Sequence, residues 1–256
     1  MLYLTSVTSG ILLLAKDPVT AGVLCDKFRR KEITKFYTAI SGKRPTKKKQ
    51  GWVKGIMTAG RRGNYKLVNN SKRPKRNREE ANADNGETSK GSEHKNTEKK
   101  NSGFAVTRFY SAGLGHLPPS AAFDCDFEHK QGDDQIVPKT ALLFQPHTGK
   151  THQLRVAAKS VSMPILGDQR YGGGLLETSP TDDMDGDGVR DWNRTYLHAT
   201  AMHFRLGEQD EVTIWSPPPF DHLFSETGGS NRVFAGMMEK YCDCAPILDA
   251  MREATI

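Results

Sequence analysis

From Asn69 to Ser102 the chain contains no Val, Ile, Leu, Met, Phe, Trp, Tyr or Cys, so nothing in that stretch can offset the entropy of ordering it. Residues 69–102 are therefore predicted to be a disordered insertion, and any core must be assembled from what flanks them. Strand chemistry resumes at Phe104, which puts the insertion between strands of one domain, residues 1–256, and not at a domain boundary. Its first part, Lys72-Arg73-Pro74-Lys75-Arg76-Asn77-Arg78, is a basic cluster that could touch phosphate or act as a nuclear import signal. A solvated linker explains it equally well.

The charge balance points the same way as that cluster. Lys and Arg number 37 against 30 Asp and Glu, a net charge of +7, which favours a polyanionic partner. Four cysteines, Cys25, Cys125, Cys242 and Cys244, are too few and too scattered for a disulfide scaffold, so a reducing, intracellular setting is expected. The compartment within the cell is left open. Cys242 and Cys244 form C-x-C with no second pair to complete a zinc site. The longest uncharged apolar run, Ile11 to Ala15, is far short of the roughly 20 residues of a membrane-spanning helix, and no membrane partner is expected. Met1-Leu2-Tyr3-Leu4-Thr5-Ser6 resembles neither a signal nor a transit peptide.

The apolar run reads as a buried strand over Val7 to Ala15. Asp17 and Pro18 then cap and open a helix whose apolar face is Val23, Leu24 and Phe28, closed by Arg29, Arg30 and Lys31. Strands are predicted over Ile33 to Ile40, Ala105 to Tyr110 and Thr140 to Phe144, with later ones at Met202 to Phe204 and Val212 to Trp215. Between them, Lys150 to Ser160 reads as a helix capped by Thr151, after the turn Pro146-His147-Thr148-Gly149. One amphipathic helix is predicted around Val233 to Met251.

Several motifs fail on inspection. Thr148-Gly149-Lys150-Thr151 suggests a phosphate loop, but the Gly required five residues before Gly149 is Phe144. Asp183 to Asp191, in an acidic loop at 178–193, starts like a calcium loop, yet Arg194 stands where a bidentate Glu should close it. No His pair has metal-ligand spacing, and His198 and His203 read best as packing or hydrogen-bonding residues. No nucleophile elbow is present.

What does stand out is Pro146-His147-Thr148-Gly149-Lys150-Thr151-His152-Gln153-Leu154-Arg155-Val156, followed by Pro164-Ile165-Leu166-Gly167-Asp168 and Tyr171-Gly172. This resembles the RluA-type RNA pseudouridine synthase family, whose pattern runs T-G-R-T-H-Q-I-R-V, then P-I-x-G-D, then Y-G. In family order, Thr8 to Lys16 resembles T-S-G-L-L-L-x-A-K, Lys35 to Ala39 resembles K-x-Y-x-A, and Leu197-His198-Ala199 resembles L-H-A. The resemblance implies an α+β fold: a mixed, largely antiparallel central sheet with flanking helices and an RNA cleft along it.

It further implies a monomeric isomerase that converts uridine to pseudouridine in RNA (rRNA, tRNA or another uridine-containing RNA) with no metal or organic cofactor. In that family an Asp takes part in breaking the glycosidic bond, the freed uracil turns, and C5 is joined to the ribose. By motif position Tyr37 would stack on the target base and Arg155 would pair with the catalytic Asp. Lys150, Thr151, His152 and Gln153 would contact RNA phosphate or sugar, or else only cap the first helical turn. Tyr37 as an ordinary sheet aromatic and Arg155 as a surface helix charge are the plain alternatives.

The chain departs from the pattern at its centre. R-L-D precedes T-S-G in the family, and Tyr3, Leu4 and Thr5 stand there. Thr5 supplies no carboxylate, and losing a nucleophile costs on the order of 10⁴ to 10⁶ in rate, roughly 5.5 to 8 kcal/mol of barrier. Two explanations are open: coding sequence for Arg-Leu-Asp lies upstream of Val7, or the chain is a paralogue that binds RNA without isomerising it. The joint loss of Arg and Asp and the abrupt start favour the first.

Overall fold

A computed structural model of the chain describes residues 8–68, 103–114, 140–174, 195–207, 210–219 and 229–254. Thr5, the segment 69–102 and the acidic loop 178–193 lie outside them. The described elements are β1 (Ser9–Gly10), α1 (Pro18–Arg30), β2 (Thr34–Ser41), β3 (Gln50–Ala59), β4 (Tyr65–Val68), β5 (Phe104–Gly113), β6 (Thr140–Pro146), α2 (Gln153–Ser160), β7 (Leu197–Arg205), β8 (Glu211–Trp215), α3 (Gly229–Tyr241) and α4 (Ala245–Glu253).

The strands form one sheet in the order β1-β7-β2-β6-β5-β3-β4, with β8 also on β7. Only the β1–β7 pairing is parallel; the others are antiparallel. The sheet is thus mixed and largely antiparallel, as the resemblance implied. Every residue of β6 is buried, which is why Ala141-Leu142-Leu143-Phe144 reads as a continuous apolar run and not as an alternation. Around it Phe36, Ile40, Phe109, Tyr110, Met163, Ile165 and Phe234 are fully or almost fully buried. α2 packs across β3, β4 and β5, α3 on β5 and β6, and α4 on β7 and β8.

The start of the chain corrects the sequence expectation. In place of a buried strand through Ala15, β1 has two residues, and Leu12 and Leu14 are 49% and 81% exposed. The cause is competition for one edge. β7 offers Ala199 and the residues before it to β1, then Ala201 to Arg205 to β8. Ile11 N donates the last bond, 3.1 Å to Ala199 O, and Ser216 N takes up Thr200 O at 2.8 Å. With the ladder occupied, the chain leaves at Gly10, whose φ of +101° suits glycine. Ile11 and Leu13 still turn inward, against a small cluster of Ile33, Met202 and Phe204 shared with Leu24 and Phe28 of α1.

Helix boundaries hold in part. Asp17 caps α1 through Thr20 N at 2.8 Å and Thr20 Oγ1 at 2.7 Å, and Lys31 ends it in the left-handed region. Val23, placed on its apolar face, is exposed. The single C-terminal helix is two: α3 stops at Tyr241 and α4 restarts after Cys244, with Pro246 in its first turn, where a missing N–H leaves nothing unpaired. The hairpin β3–β4 carries no sequence expectation at all. Gly51, Lys54 and Gly55 interrupt any apolar alternation there.

Strands on both sides of residues 69–102 belong to this sheet. Ile56 of β3 pairs with Val68 on one side and Phe104 on the other.

Candidate functional site

An early and a late segment of the chain meet first. Ser9 lies opposite His198 and Gly10 opposite Ala199, so the T-S-G and L-H-A segments are adjacent strands. His198 is buried, with Nδ1 2.9 Å from Ser9 Oγ and Nε2 3.2 Å from Ser216 O. Nε2 also lies 3.1 Å from Ser216 Oγ, and Ser9 Oγ donates to Leu197 O at 3.4 Å, so the ring nitrogens exchange donor and acceptor roles with the tautomer while both ends of the ring stay bonded. His198 therefore clamps the motif, as its hydrogen-bonding assignment predicted. His203 is likewise bonded, to Thr213 Oγ1 at 2.9 Å and Glu211 at 3.2 Å. Thr8 enters β1 from the Leu197 end of β7.

Tyr37 lies one strand away. It faces Ala199 of β7 on one side and Phe144 of β6 on the other, beside a register shift between Phe36 and Tyr37. It is half-buried, and burial raises its phenol above the usual tyrosine range, so the ring is neutral at physiological pH. Opposite residues share a face, which groups Tyr37, Phe144 and Phe109 together.

Arg155 is on α2, on that same face. The helix is fixed there by Gln153, whose Nε2 donates to Val106 O at 3.0 Å and Thr107 Oγ1 at 2.9 Å. Its Oε1 accepts from Lys150 N at 3.0 Å and Thr148 Oγ1 at 2.8 Å. Gln153 thus spends its amide inside the protein. Thr151 does not cap the helix as expected: α2 starts at Gln153, after His152 in a left-handed conformation (φ 57°), and Gln153 takes over the amide of Lys150. Thr151 is exposed; Lys150 and His152 are half-buried.

Arg155 is 7% exposed, not a surface charge. Its Nε donates to Asp168 Oδ2 at 2.7 Å and its Nη2 to Asp168 Oδ1 at 2.5 Å. Among the described residues, then, its carboxylate partner is Asp168. The guanidinium also lies 4.9 Å from the Tyr171 ring centroid. Tyr171 Oη accepts from Tyr65 N at 3.1 Å and sits 2.7 Å from His152 Nδ1. Burial, then Arg155 and Arg170, lower the His152 pKa. The neutral ring can accept the Tyr171 hydroxyl proton, and burial keeps that proton on the phenol. Asp168, Tyr171 and Tyr65 were given no role from sequence. Asp168 and Tyr171 stand in the P-I-x-G-D and Y-G matches, which was the available signal; Tyr65 had none.

No group of three or more His, Cys, Asp or Glu side chains among the described residues could hold a metal. No helix among them is long and apolar enough to cross a membrane.

A mixed sheet with the motif strands β1 and β7 beside Tyr37 of β2, and a buried pair between Arg155 of the helix that follows β6 and Asp168 of the turn beyond it, defines a class. The family described as RNA pseudouridylate synthase matches residues 4–160, more than half of the chain, and the chain belongs to that family, of the RluA type. A Haemophilus influenzae protein described as an uncharacterized RNA pseudouridine synthase is 33% identical over 202 residues, which cover 78% of this chain and 60% of the relative. Ribosomal large subunit pseudouridine synthase C of Rickettsia typhi is 26% identical over 165 residues, 64% of this chain and 39% of the relative. The chain thus spans about 60% or less of the length of these two relatives. Among solved structures, human RNA pseudouridylate synthase domain containing 1 shares the fold, with a TM-score of 0.50 at 20% identity over 85% of this chain and 68% of that one.

Proposed function

We propose that the chain acts on uridine in RNA as an isomerase that makes pseudouridine, working as a monomer on an rRNA, a tRNA or another uridine-containing RNA. What supports this is the Ser9–His198 clamp one strand from Tyr37, in a chain of this family. The uridine is flipped from its stack, and the neutral Tyr37 ring lies under the base. Arg155 and Asp168 compensate one another and fix the helix and the turn that follows it. Lys150, Thr151 and His152, in the turn before α2, meet phosphate or sugar.

Breaking the glycosidic bond needs a carboxylate as nucleophile or base at the sugar, and Thr5 stands at that position. Thr5 favours a second reading, in which the chain binds RNA without isomerising it. One assay separates them: tritium release from RNA labelled at uridine C5, with the chain and with its Thr5→Asp variant. Release by the unaltered chain supports the isomerase, whereas RNA binding with release only by Thr5→Asp, a gain of about 10⁴ to 10⁶ on the nucleophile-loss scale, supports the second reading. RNA binding without release by either form supports the second reading, and absence of both binding and release overturns both.

A further inference from the structure

Trp52 is 44% exposed on β3, although it is the largest apolar side chain of its strand. Cationic groups surround its ring: Lys54 Nζ at 4.8 Å and Arg108 Cζ at 5.5 Å from the centroid. The His147 ring lies 5.0 Å away, tilted by 42°. Arg108 also covers Tyr110 at 5.1 Å, and Tyr110 is stacked at 4.2 Å on Tyr241, so the guanidinium is held from both sides. The strand register separates this cluster from the candidate site. Trp52, Arg108 and Gln145 are directly opposite one another on one face of the sheet, whereas Tyr37, Phe144 and Phe109 share the other.

A second feature bridges the two faces. At the start of β2 and the end of β6 is a cleft of about 110 Å³ lined by Phe28, Lys31, Lys35, His147, Thr148 and Gly149, among others. Lys35 is two residues from Tyr37, on the Tyr37 side, with its ammonium 5.1 Å from the Phe28 centroid. Both lysines and Arg108 act on His147; Asp243 is the carboxylate that faces it. Among the described residues, Lys31 and Lys35 in the cleft and Lys54 and Arg108 at Trp52 thus lie on either side of His147, with Asp243 the one acidic group among them.

We propose that this surface holds the single-stranded RNA flanking the target uridine, with a base stacked on Trp52 and phosphates on Lys54 and Arg108 and, in the cleft, on Lys31 and Lys35. Exposed aromatic rings interleaved with cations are what single strands recognise, because every base has a π-face to stack and every linkage a charge. A duplex keeps its bases stacked on each other and cannot use the ring. Lys54 is on a flexible stem and can exchange the ring for a phosphate without moving β3. The proposal rests on the RNA-directed reading above.

The test is fluorescence anisotropy of a fluorescein-labelled oligouridylate, alone and annealed to oligoadenylate, across a salt series. The chain is expected to prefer the single strand. Trp52→Ala is expected to weaken binding about 5- to 150-fold, the range base stacking on an aromatic supplies, while Trp52→Phe stays near the unaltered chain. Replacing Lys54 and Arg108 together by Gln should flatten the log–log salt slope by about 1.4, at roughly 0.7 for each phosphate contact. If the chain binds oligouridylate but neither variant changes affinity or slope, the Trp52 surface is overturned and the RNA-directed reading stands. Equal affinity for the duplex also overturns the surface. If the unaltered chain binds neither RNA, both the reading and the surface fall.

Discussion

Arg155 holds Asp168 at two points, 2.7 Å and 2.5 Å, with the two side chains 8% and 0% exposed. A pair this dry is held by geometry: taken together the charges are compensated, but removing one leaves the other buried alone. Arg155→Ala is therefore expected to destabilise the fold by about 3 to 5 kcal/mol, read as a lower urea midpoint. Arg155→Lys keeps the charge and loses the two-point fork, so it should also destabilise. A midpoint for Arg155→Ala equal to that of the unaltered chain would remove the structural role assigned to the pair.

Gly10 admits no substitute. A Cβ there would sit 2.3 Å from Ala199 O, in a backbone conformation of φ +101°. Gly10→Ala should cost at least the roughly 1 to 3 kcal/mol of a strained backbone residue and detach the Ser9–His198 clamp. Urea unfolding and the ¹⁵N shift of His198 Nδ1 would both report it; an unchanged His198 signal would contradict the clamp.

Stability should fall with acid around His152. Its pKa is held below the usual histidine value, chiefly by burial. The folded chain thus binds this proton less readily than the unfolded one. The contribution is complete above the unfolded value, about 6.5, and is lost as pH falls below it toward the folded value. His147 carries a lowering of the same sign. His152→Gln should make the urea midpoint less dependent on pH between 7 and 5, and a dependence as steep as before would rule His152 out as a contributor.

Cysteine reactivity should divide by place. Burial pushes the Cys242 thiol up to about 11, while Cys25 is exposed on α1. Thiolate is the reactive form, so Cys25→Ser should remove a fast phase of labelling by Ellman's reagent, and Cys242→Ser should remove none until urea is added. A fast phase lost in Cys242→Ser would mean that the α3–α4 junction opens in the native state.

If the Tyr37 ring holds the base, its hydroxyl is dispensable. In a Thr5→Asp background, Tyr37→Phe should retain tritium release and Tyr37→Leu should lose most of it, with RNA affinity measured alongside. Equal release by Tyr37→Leu would return Tyr37 to an ordinary place in the sheet.

The central strands were readable because β6 is buried along its length and β2 is buried from Thr38 to Ser41, so their apolar runs are local facts. The motif stretch from His147 to Tyr171 was readable for the same reason: Arg155 and Asp168 lie thirteen residues apart within it. That they pair was not readable, since a carboxylate in a glycine turn looks like any loop charge until the turn packs under the helix. β1 was read too long because its end is decided by β8, more than 190 residues later, claiming the same edge. The β3–β4 hairpin escaped because strands toward a sheet's margin need little apolar content, and Gly51 and Gly55 hide what there is. Trp52 belongs to that unread hairpin.

Val68 and Phe104 flank Ile56 from opposite sides, each one strand away, so the ends that residues 69–102 must join are about 10 Å apart. Three or four extended residues cover that distance at about 3.3 Å each. Since closing a loop grows costlier only with the logarithm of its length, about 0.6 kcal/mol per doubling, the sheet exerts almost no selection on how long this crossing is. Val68 and Phe104 hold their places beside Ile56 whatever length of chain joins them, so sequence can be gained or shed there, the basic run included, while the motif strands keep their register.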